Sequence, residues 1–340
     1  MVPSELPPFG KIELSRDMVI TPLAAESLGV RSLAIHVQTA DTSILIDPGV
    51  ALGFRYGLHP HPEEYKLLSM VRKKISNIAL STDLLVVSHY HHDHFMAFFQ
   101  NYAYFWSSPE EARGLYENKQ IWCKDIRRNI NFSQQRRGYN FVRGIRKVTN
   151  GVIYADGRAH KEGNTLIRFS PAVPHGEEGT HLGWVIMTTI RCGGFVCVHA
   201  SDVQGPMVKK TAEWILAQKP DVVILAGPPT YLSPERVAPK VLTKAAENLE
   251  ILVNQIPVVI IDHHLLRDVK WLNWLEPIRK MATANGHQLL TVSEVLGVPE
   301  QLFEAQREKL YQESPANSAF NTWVEQIYQR RIQTPPPLGT

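Results

Sequence analysis

The sequence predicts a layered α/β fold, and three features of its 340 residues lead to this prediction. Short runs rich in Val, Ile and Leu alternate with longer segments that have the apolar spacing of amphipathic helices. No change in composition and no linker-like stretch divides the chain. Apolar residues make up 44% of the total, which is enough for a large core and excludes a disordered protein.

Nine short runs are typical of strands, and the first three follow one another without a helix between them. This early succession favours an antiparallel or mixed sheet over a uniform βαβ repeat. Five longer segments combine helical spacing with good helix formers. The strands are predicted at 18–21, 32–37, 42–46, 84–87, 165–169, 184–189, 195–198, 222–226 and 258–261, and the helices at 62–74, 208–218, 234–253, 269–284 and 299–313.

A weak internal echo suggests that two halves of the chain contribute to one site. The segments LLVVSHYHHDH (84–94) and VVIIDHHLLRD (258–268) both read as an apolar strand followed by a polar residue and then histidine. We therefore predict one domain over residues 1–297, with related halves of roughly 1–160 and 161–297. Residues 298–340 have a charged helical pattern and end in TPPPLGT, which predicts an appended helix with a loose tail.

The total charge of the chain conceals a strongly basic region. The net charge is only +3, too small to indicate a nucleic-acid or membrane partner. Nine basic residues and one acidic residue lie between Lys119 and Lys147, so this basic window carries +8 and the remainder −5. No apolar run is long enough to span a bilayer, and the N-terminus lacks a signal-peptide pattern, so we expect a cytoplasmic protein. Three scattered cysteines argue against a disulfide framework.

A histidine-rich segment, HYHHDH, follows the predicted strand at 84–87. Residues two apart in an extended segment point to the same side, so His89 and His91 can bind one cation. Asp93 and His94 follow, where a second cation could lie. So many imidazoles suit zinc, or iron and manganese, better than calcium or magnesium. A surface histidine cluster is the alternative, but the apolar residues at 95–99 indicate that the segment opens a buried element.

The pattern HxHxDH after a strand resembles the signature of the metallo-β-lactamase superfamily. Further matches follow in order along the chain: Asp47 in SILIDPG, His175 before a Gly-Trp strand, Asp202 in FVCVHASDVQG, and the histidines of VVIIDHHLLRD. The whole pattern is most similar to a mainly archaeal branch of the superfamily known only as metal-dependent hydrolases. The resemblance implies a four-layer αββα sandwich, with the site at one edge of its two sheets.

The resemblance also implies a ligand set for two divalent transition-metal ions, most simply zinc, with iron or manganese as alternatives. His89, His91 and His175 would bind the first ion. Asp93, His94 and a final histidine would bind the second, with Asp202 between the two. Alignment of the two echo segments favours His263 as the final ligand, with His264 as its rival.

Two further histidines compete with His175 for the first ion. His199 follows a strand directly before the stronger match at Asp202, and His181 lacks the Gly that follows His175, so both are disfavoured. Asp47 is expected to orient a ligand histidine or the loop of the HxHxDH motif rather than to bind metal itself, and a simple turn former in Asp-Pro-Gly is the alternative.

This ligand set predicts hydrolysis. Two cations would share a bridging water and produce a hydroxide that attacks a polarised carbonyl or phosphoryl group. The carboxylates of Asp93 and Asp202 are the candidate catalytic groups, since they can position the hydroxide and pass on its proton.

Two classes of substrate remain open. We favour a small ester, lactone, lactam or thioester, because the 61 positions between Asp202 and His263 leave no room for the cap domain of relatives that cleave nucleic acids. The alternative is a phosphodiesterase or nuclease acting on RNA or nucleotides, in which the basic window binds phosphates and Trp122 or Tyr139 stacks on a base. The candidate phosphate contacts are Arg127, Arg128, Arg136 and Arg137.

Overall fold

A computed structural model describes residues 12–15 and 17–338, and its first half forms a seven-stranded sheet. The strands lie side by side in chain order. The first four pair antiparallel and the last three continue parallel. They are β1 (Ile12–Ser15), β2 (Met18–Ala25), β3 (Leu33–Thr39), β4 (Ser43–Ile46), β5 (Leu84–Val87), β6 (Gln120–Cys123) and β7 (Gly151–Tyr154).

The second half forms another seven-stranded sheet with the same succession of antiparallel and then parallel pairs, in the order β8-β9-β12-β13-β14-β15-β16. A two-stranded sheet, β10-β11, lies apart from it. The strands are β8 (Ala159–Glu162), β9 (Thr165–Phe169), β10 (Val173–Pro174), β11 (Trp184–Val185), β12 (Thr188–Cys192), β13 (Phe195–Ser201), β14 (Val222–Ala226), β15 (Val258–Asp262) and β16 (Gln288–Leu290).

Helices cover the outer face of each sheet. The first group packs on the first sheet and the second group on the second sheet. Among the described residues, no helix has both the length and the apolar composition needed to cross a bilayer. The first group is α1 (Pro62–Ala79), α2 (Pro109–Tyr116) and α3 (Phe132–Ile145); the second is α4 (Lys209–Ala217), α5 (Pro239–Val253) and α6 (Trp271–Ala284). The short α7 (Val292–Leu296) packs instead against the core between the sheets.

The two sheets pack face to face around a shared apolar core. Ile44 and Val86 of the first sheet meet Ile190 and Ile260 of the second in this layer. In β5, Leu84 and Val86 face the core between the sheets, whereas Leu85 and Val87 face the helices. Burial on both faces explains why this strand is continuously apolar. The four-layer αββα sandwich predicted from the sequence is confirmed.

The C-terminal segment differs from the single helix and loose tail predicted for it. It contains three short helices, α8 (Arg307–Glu313), α9 (Ser318–Glu325) and α10 (Tyr328–Arg331). Phe320 and Trp323 of α9 are buried in the core beneath the first sheet, beside Tyr65 of α1. The segment therefore forms part of the helical layer of the first half.

Candidate metal centre

The carboxyl ends of strands from both sheets meet at one edge of the sandwich. The HYHHDH segment follows β5, Asp202 follows β13, and His263 follows β15. Parallel strands direct their carboxyl ends to the same edge, which is where α/β sheets commonly place binding groups. The topology thus brings together residues that are more than 170 positions apart in the chain.

A first group of potential ligands consists of His89, His91, His175 and Asp202. One ligand atom from each lies within 4.8 Å of the others. Nε2 of His175 is 3.0 Å from Oδ2 of Asp202, and Nε2 of His89 is 3.5 Å from the same oxygen. These are the residues predicted around the first cation, together with the predicted bridging acid.

A second group consists of Asp93, His94 and His263, which also lie within 4.8 Å of one another. Nε2 of His263 is 3.5 Å from Oδ2 of Asp93. Asp202 connects this group to the first, because its Oδ2 is 3.2 Å from Nε2 of His94 and 3.7 Å from Nε2 of His263. The residues predicted around the second cation are thus also brought together.

Several buried polar atoms at the centre of this cluster have no hydrogen-bond partner. Leaving a buried polar atom unsatisfied costs about 1–3 kcal/mol, so native proteins rarely retain several in one place. Cations among these atoms would satisfy all of them except Nδ1 of His175, because that imidazole faces Asp202 through Nε2, and the residues therefore fit a metal site. The atoms are Nε2 of His89, Nε2 of His94, both ring nitrogens of His175 and both carboxylate oxygens of Asp202.

Asp47 lies behind the cluster at the end of β4. Its Oδ2 is 2.9 Å from Nδ1 of His94, and both its oxygens accept hydrogen bonds from Ser88, at 2.7 Å from the backbone N and 2.6 Å from Oγ. Oγ of Ser88 is in turn 2.9 Å from Nδ1 of His89. Asp47 therefore fixes the ring of His94 directly and that of His89 through Ser88, so that each Nε2 faces Asp202.

Glu26 plays the same part for His263 and was not foreseen from the sequence. Its Oε2 lies 2.9 Å from Nδ1 of His263, and its Oε1 accepts a short hydrogen bond from Arg267. Arg267 also reaches Oδ2 of Asp93 at 3.5 Å. Glu26 follows β2 and is 237 positions from His263, so no local sequence pattern connects the two.

The rival histidines lie in three different environments. His264 is close to the cluster, with Nε2 3.7 Å from Oδ2 of Asp202, but its Nδ1 has no partner. His199 is turned away and hydrogen-bonds the Leu33 carbonyl at 2.9 Å. His181 is exposed at the rim of a neighbouring cavity.

Burial keeps part of the cluster neutral. It lowers the pKa of His89 to about 4 and the pKa of His91 well below its usual value, with neighbouring imidazoles adding to both shifts. Neutral imidazoles are the form that binds metal. These two side chains are therefore ready to act as ligands near neutral pH.

Carboxylates have the opposite effect on two other histidines. Burial opposes protonation of His94, yet Asp202 and Asp47 raise its pKa well above the usual value. Burial likewise opposes protonation of His263, but Asp202 and Glu26 raise its pKa to about 9. Metal binding to these two imidazoles would therefore release protons.

A cavity of about 800 Å³ opens beside the cluster. His91, Asp93, His175 and His264 form its inner wall. Of the four arginines predicted as phosphate contacts, only Arg137 lines this cavity, whereas Arg127 and Arg128 line a separate one. Arg136 is exposed on α3 and lines neither.

The aromatic side chains proposed to stack on a base are also separated from the cluster. Trp122 is 5% exposed and stacks on Phe169 between the two sheets, so it cannot receive a base. Tyr139 is exposed on α3 but does not line the cavity beside the cluster.

Comparison with known proteins places the chain among archaeal sequences. No family model matches it. A UPF0282 protein of Thermococcus sibiricus is 40% identical over 295 residues, which cover 86% of this chain and 94% of that protein. A UPF0282 protein of Methanocaldococcus jannaschii is 40% identical over 305 residues, which cover 89% of this chain and all of that protein.

Two solved structures are similar at low sequence identity. One is a metal-dependent hydrolase of the β-lactamase superfamily, with 13% identity, a TM-score of 0.45, and coverage of 81% of this chain and 95% of that one. The other is a diiron β-hydroxylase of Streptomyces venezuelae, with 11% identity, a TM-score of 0.44, and coverage of 81% and 52%. On the identity and coverage of its archaeal relatives, the chain belongs to the UPF0282 family.

Proposed function

We propose that this protein is a metal-dependent hydrolase with a two-cation centre. His89, His91 and His175 would bind one ion, and Asp93, His94 and His263 the other, with Asp202 between them. The observation that supports this most strongly is the convergence of unpartnered, buried ring nitrogens on the unpartnered carboxylate of Asp202.

The donor set favours zinc, with iron or manganese as alternatives. Five imidazoles and two carboxylates are available, whereas magnesium and calcium prefer oxygen ligands. Two such ions would acidify a shared water and polarise the scissile group of a substrate. His264, which lies at the cavity wall within 3.7 Å of Asp202, would remain beside the ions as a neighbour or as an alternative ligand.

The residues of the chain have distinct parts in this proposal. Asp202 is shared by both groups of ligands, and its pKa is held well below the usual range because His94 and His263 outweigh the effect of burial. Asp93 lines the cavity, and neighbouring His94 and His263 likewise keep its pKa low against burial. An ionised carboxylate at the cavity wall can accept a proton from a water there.

For the substrate, we favour a small ester, lactone, lactam or thioester. The cavity is the size of a small-molecule site, and its walls include the apolar side chains of Leu52, Phe105 and Met207. A phosphodiesterase is the alternative, and Arg137, which lines the cavity without a carboxylate partner among the described residues, favours it. A long nucleic acid is less suited, because Arg127 and Arg128 lie at a different cavity.

Metal content and turnover together test this function. Elemental analysis of the purified protein is expected to find up to two transition-metal ions per chain. The double variant His89→Ala/His91→Ala is expected to lose metal and turnover on a panel of nitrocefin, a homoserine lactone, a thioester and bis-p-nitrophenyl phosphate. His181→Ala is the control for metal content, because this exposed histidine lies outside both ligand groups. A fully stable protein without metal, or a double variant with undiminished turnover, would refute the proposal.

A further inference from the structure

The cavity beside the metal centre is lined by arginines whose charges are balanced to different extents. Four line it: Arg31, Arg137, Arg236 and Arg267. Arg31 donates to both oxygens of Glu304, at 2.5 and 2.7 Å, and Arg267 donates to Glu26. The charges of these two are therefore neutralised by the protein itself. Arg236 is exposed at the mouth, where water solvates it.

Arg137 is the exception, because it lies in the cavity wall without a neutralising partner. It projects from α3, is half-buried, and donates one hydrogen bond, from Nη1 to the Tyr90 carbonyl at 3.3 Å. No carboxylate in residues 12–15 or 17–338 comes within 4.0 Å of it. Burial lowers its pKa, which reflects the cost of withdrawing a guanidinium from water.

His92 supplies a second unsatisfied group in the same wall. Its Nδ1 is buried and has no hydrogen-bond partner. The ring is held between aromatic side chains, with its centroid 4.4 Å from that of Phe105 and 5.2 Å from that of Phe95.

We infer that Arg137 binds an anionic group of the substrate at a distance from the bond that is cleaved, in a cavity wall that His92 also lines. A carboxylate or a phosphate would supply the directly paired negative charge that Arg31 and Arg267 already have and that Arg137 lacks within the described part of the chain. The planar guanidinium can hold either anion through two parallel hydrogen bonds. The inference rests on the proposed hydrolase function and narrows its substrate to anionic molecules.

Two esters that differ in one charge test the inference on the zinc-loaded protein. Mono-p-nitrophenyl glutarate carries a free carboxylate at the far end of its acyl chain, and p-nitrophenyl butyrate carries none. Arg137→Ala is expected to lower kcat/KM for the glutarate ester about 10- to 100-fold, the usual contribution of a charge-assisted contact, and to leave the butyrate ester unchanged. Equal effects on both esters, or no effect on the glutarate ester, would overturn it.

Matched variants exclude a general defect. Arg136→Ala removes the neighbouring charge on the same helix, but this exposed side chain does not line the cavity, so both esters should react as with the unchanged protein. Arg137→Lys keeps the charge and loses the paired geometry, and should give an intermediate loss on the glutarate ester. Circular dichroism and thermal unfolding of each variant establish that it is folded.

If neither ester is hydrolysed, that result counts only against ester substrates, and calorimetry then tests anion binding by Arg137 directly. Glutarate and inorganic phosphate are titrated into the zinc-loaded protein and into the Arg137→Ala and Arg136→Ala variants. Any binding to the ions is common to all three proteins. Weaker binding to Arg137→Ala, by about 10-fold or more, would support the inference, and the anion that is more affected identifies the group. Equal affinities in the two variants would overturn it.

Discussion

Glu26 and Asp47 hold two imidazoles of the candidate centre from behind. Each carboxylate lies 2.9 Å from a ring Nδ1, Glu26 at His263 and Asp47 at His94, which leaves Nε2 facing Asp202. Carboxylates in this position fix the orientation of a ligand and raise its basicity. His263 also has a φ of +62°, a region that side chains other than glycine rarely adopt, so its position depends on such support.

Glu26→Gln is expected to weaken the second cation site. The amide cannot neutralise Arg267, and its hydrogen bond to His263 is no longer charge-assisted. Loss of such a supporting carboxylate typically lowers metal affinity about 10- to 100-fold. Zinc content measured against increasing chelator would show one ion lost earlier than in the unchanged protein.

Glu213→Gln is the matched control, because Glu213 only forms an exposed pair with Lys209. Its zinc retention should match that of the unchanged protein. If Glu26→Gln also kept both ions at the same chelator concentration, the supporting role of Glu26 would be wrong.

Of these two carboxylates, Asp47 could be predicted from the sequence, whereas Glu26 could not. Asp47 stands at the end of a strand in SILIDPG, a position that the family resemblance marks, so it could be predicted. Glu26 lies in an ordinary turn after β2, and only the packing of the first sheet on the second brings it to His263. Residue patterns record local geometry, whereas this contact depends on the whole sandwich.

At the level of elements, the basic window does not form one surface. Lys119 and Lys124 are buried, and the ammonium of Lys124 pairs with Asp156 at 2.7 Å. Arg136 and Arg137 are adjacent in sequence but differ in exposure, since successive residues of a helix point about 100° apart. Counting charges along the sequence therefore overestimates how many basic side chains share one surface. It also cannot distinguish the half-buried Arg137 from its exposed neighbour Arg136.

The internal echo has a different origin from the one that the sequence suggested. It aligned β5 with β15, but β5 occupies the place in the first sheet that β14 occupies in the second. The echo nevertheless indicated His263, because both strands are parallel strands that end at the same edge. Each strand places a polar residue and a histidine at that edge of the sandwich, which explains why the two segments have similar sequences. The division into two related halves remains a prediction.

Helix α3 packs so closely on the HYHHDH segment that Gly138, one of its two glycines, is predicted to be important for stability. A β-carbon at Gly138 would lie 2.7 Å from Cε2 of Tyr90 and 2.7 Å from Cγ2 of Ile126. Ala favours a helix over Gly by about 0.5–1 kcal/mol, but overpacking costs about 1–3 kcal/mol. Gly138→Ala is therefore expected to lower the free energy of unfolding, as measured by urea denaturation.

Gly114→Ala offers the same substitution without the steric contact. Gly114 lies in α2, and no atom lies within 4 Å of the position of its β-carbon. This variant should gain about 0.5–1 kcal/mol from helix propensity alone. A stabilised Gly138→Ala protein would show that Tyr90 and Ile126 move aside without cost.

For the molecule as a whole, buried ion pairs attach the C-terminal segment to the first half. Arg307 binds both oxygens of Glu64 in α1, at 2.7 and 2.8 Å, and both side chains are fully buried. Glu304 pairs with Arg31 at 2.5 Å and with Arg55 at 3.2 Å. These contacts span about 250 positions, so a sequence pattern could predict the helical character of the segment but not its docking.

Glu304 is expected to make the stability of the whole protein depend on pH. Arg31 and Arg267 outweigh burial and hold its pKa far below the usual range. A glutamate in the unfolded chain has a pKa of about 4.3. The stabilisation by Glu304 is therefore complete above that pH and is lost as the pH falls below it. Removing one partner of a buried ion pair costs about 3–5 kcal/mol, and Glu304→Gln should lose about that much at pH 7.

Urea unfolding of both proteins between pH 7 and pH 3 measures this linkage. The deficit of Glu304→Gln relative to the unchanged protein should be constant down to about pH 5 and then narrow, because the unfolded chain of the unchanged protein binds a proton at Glu304 and the variant cannot. Glu313→Gln, which removes an exposed pair with Lys309, should differ from the unchanged protein by less than about 1 kcal/mol throughout. A deficit that stays the same at pH 3 would mean that Glu304 acts through packing and not through its charge.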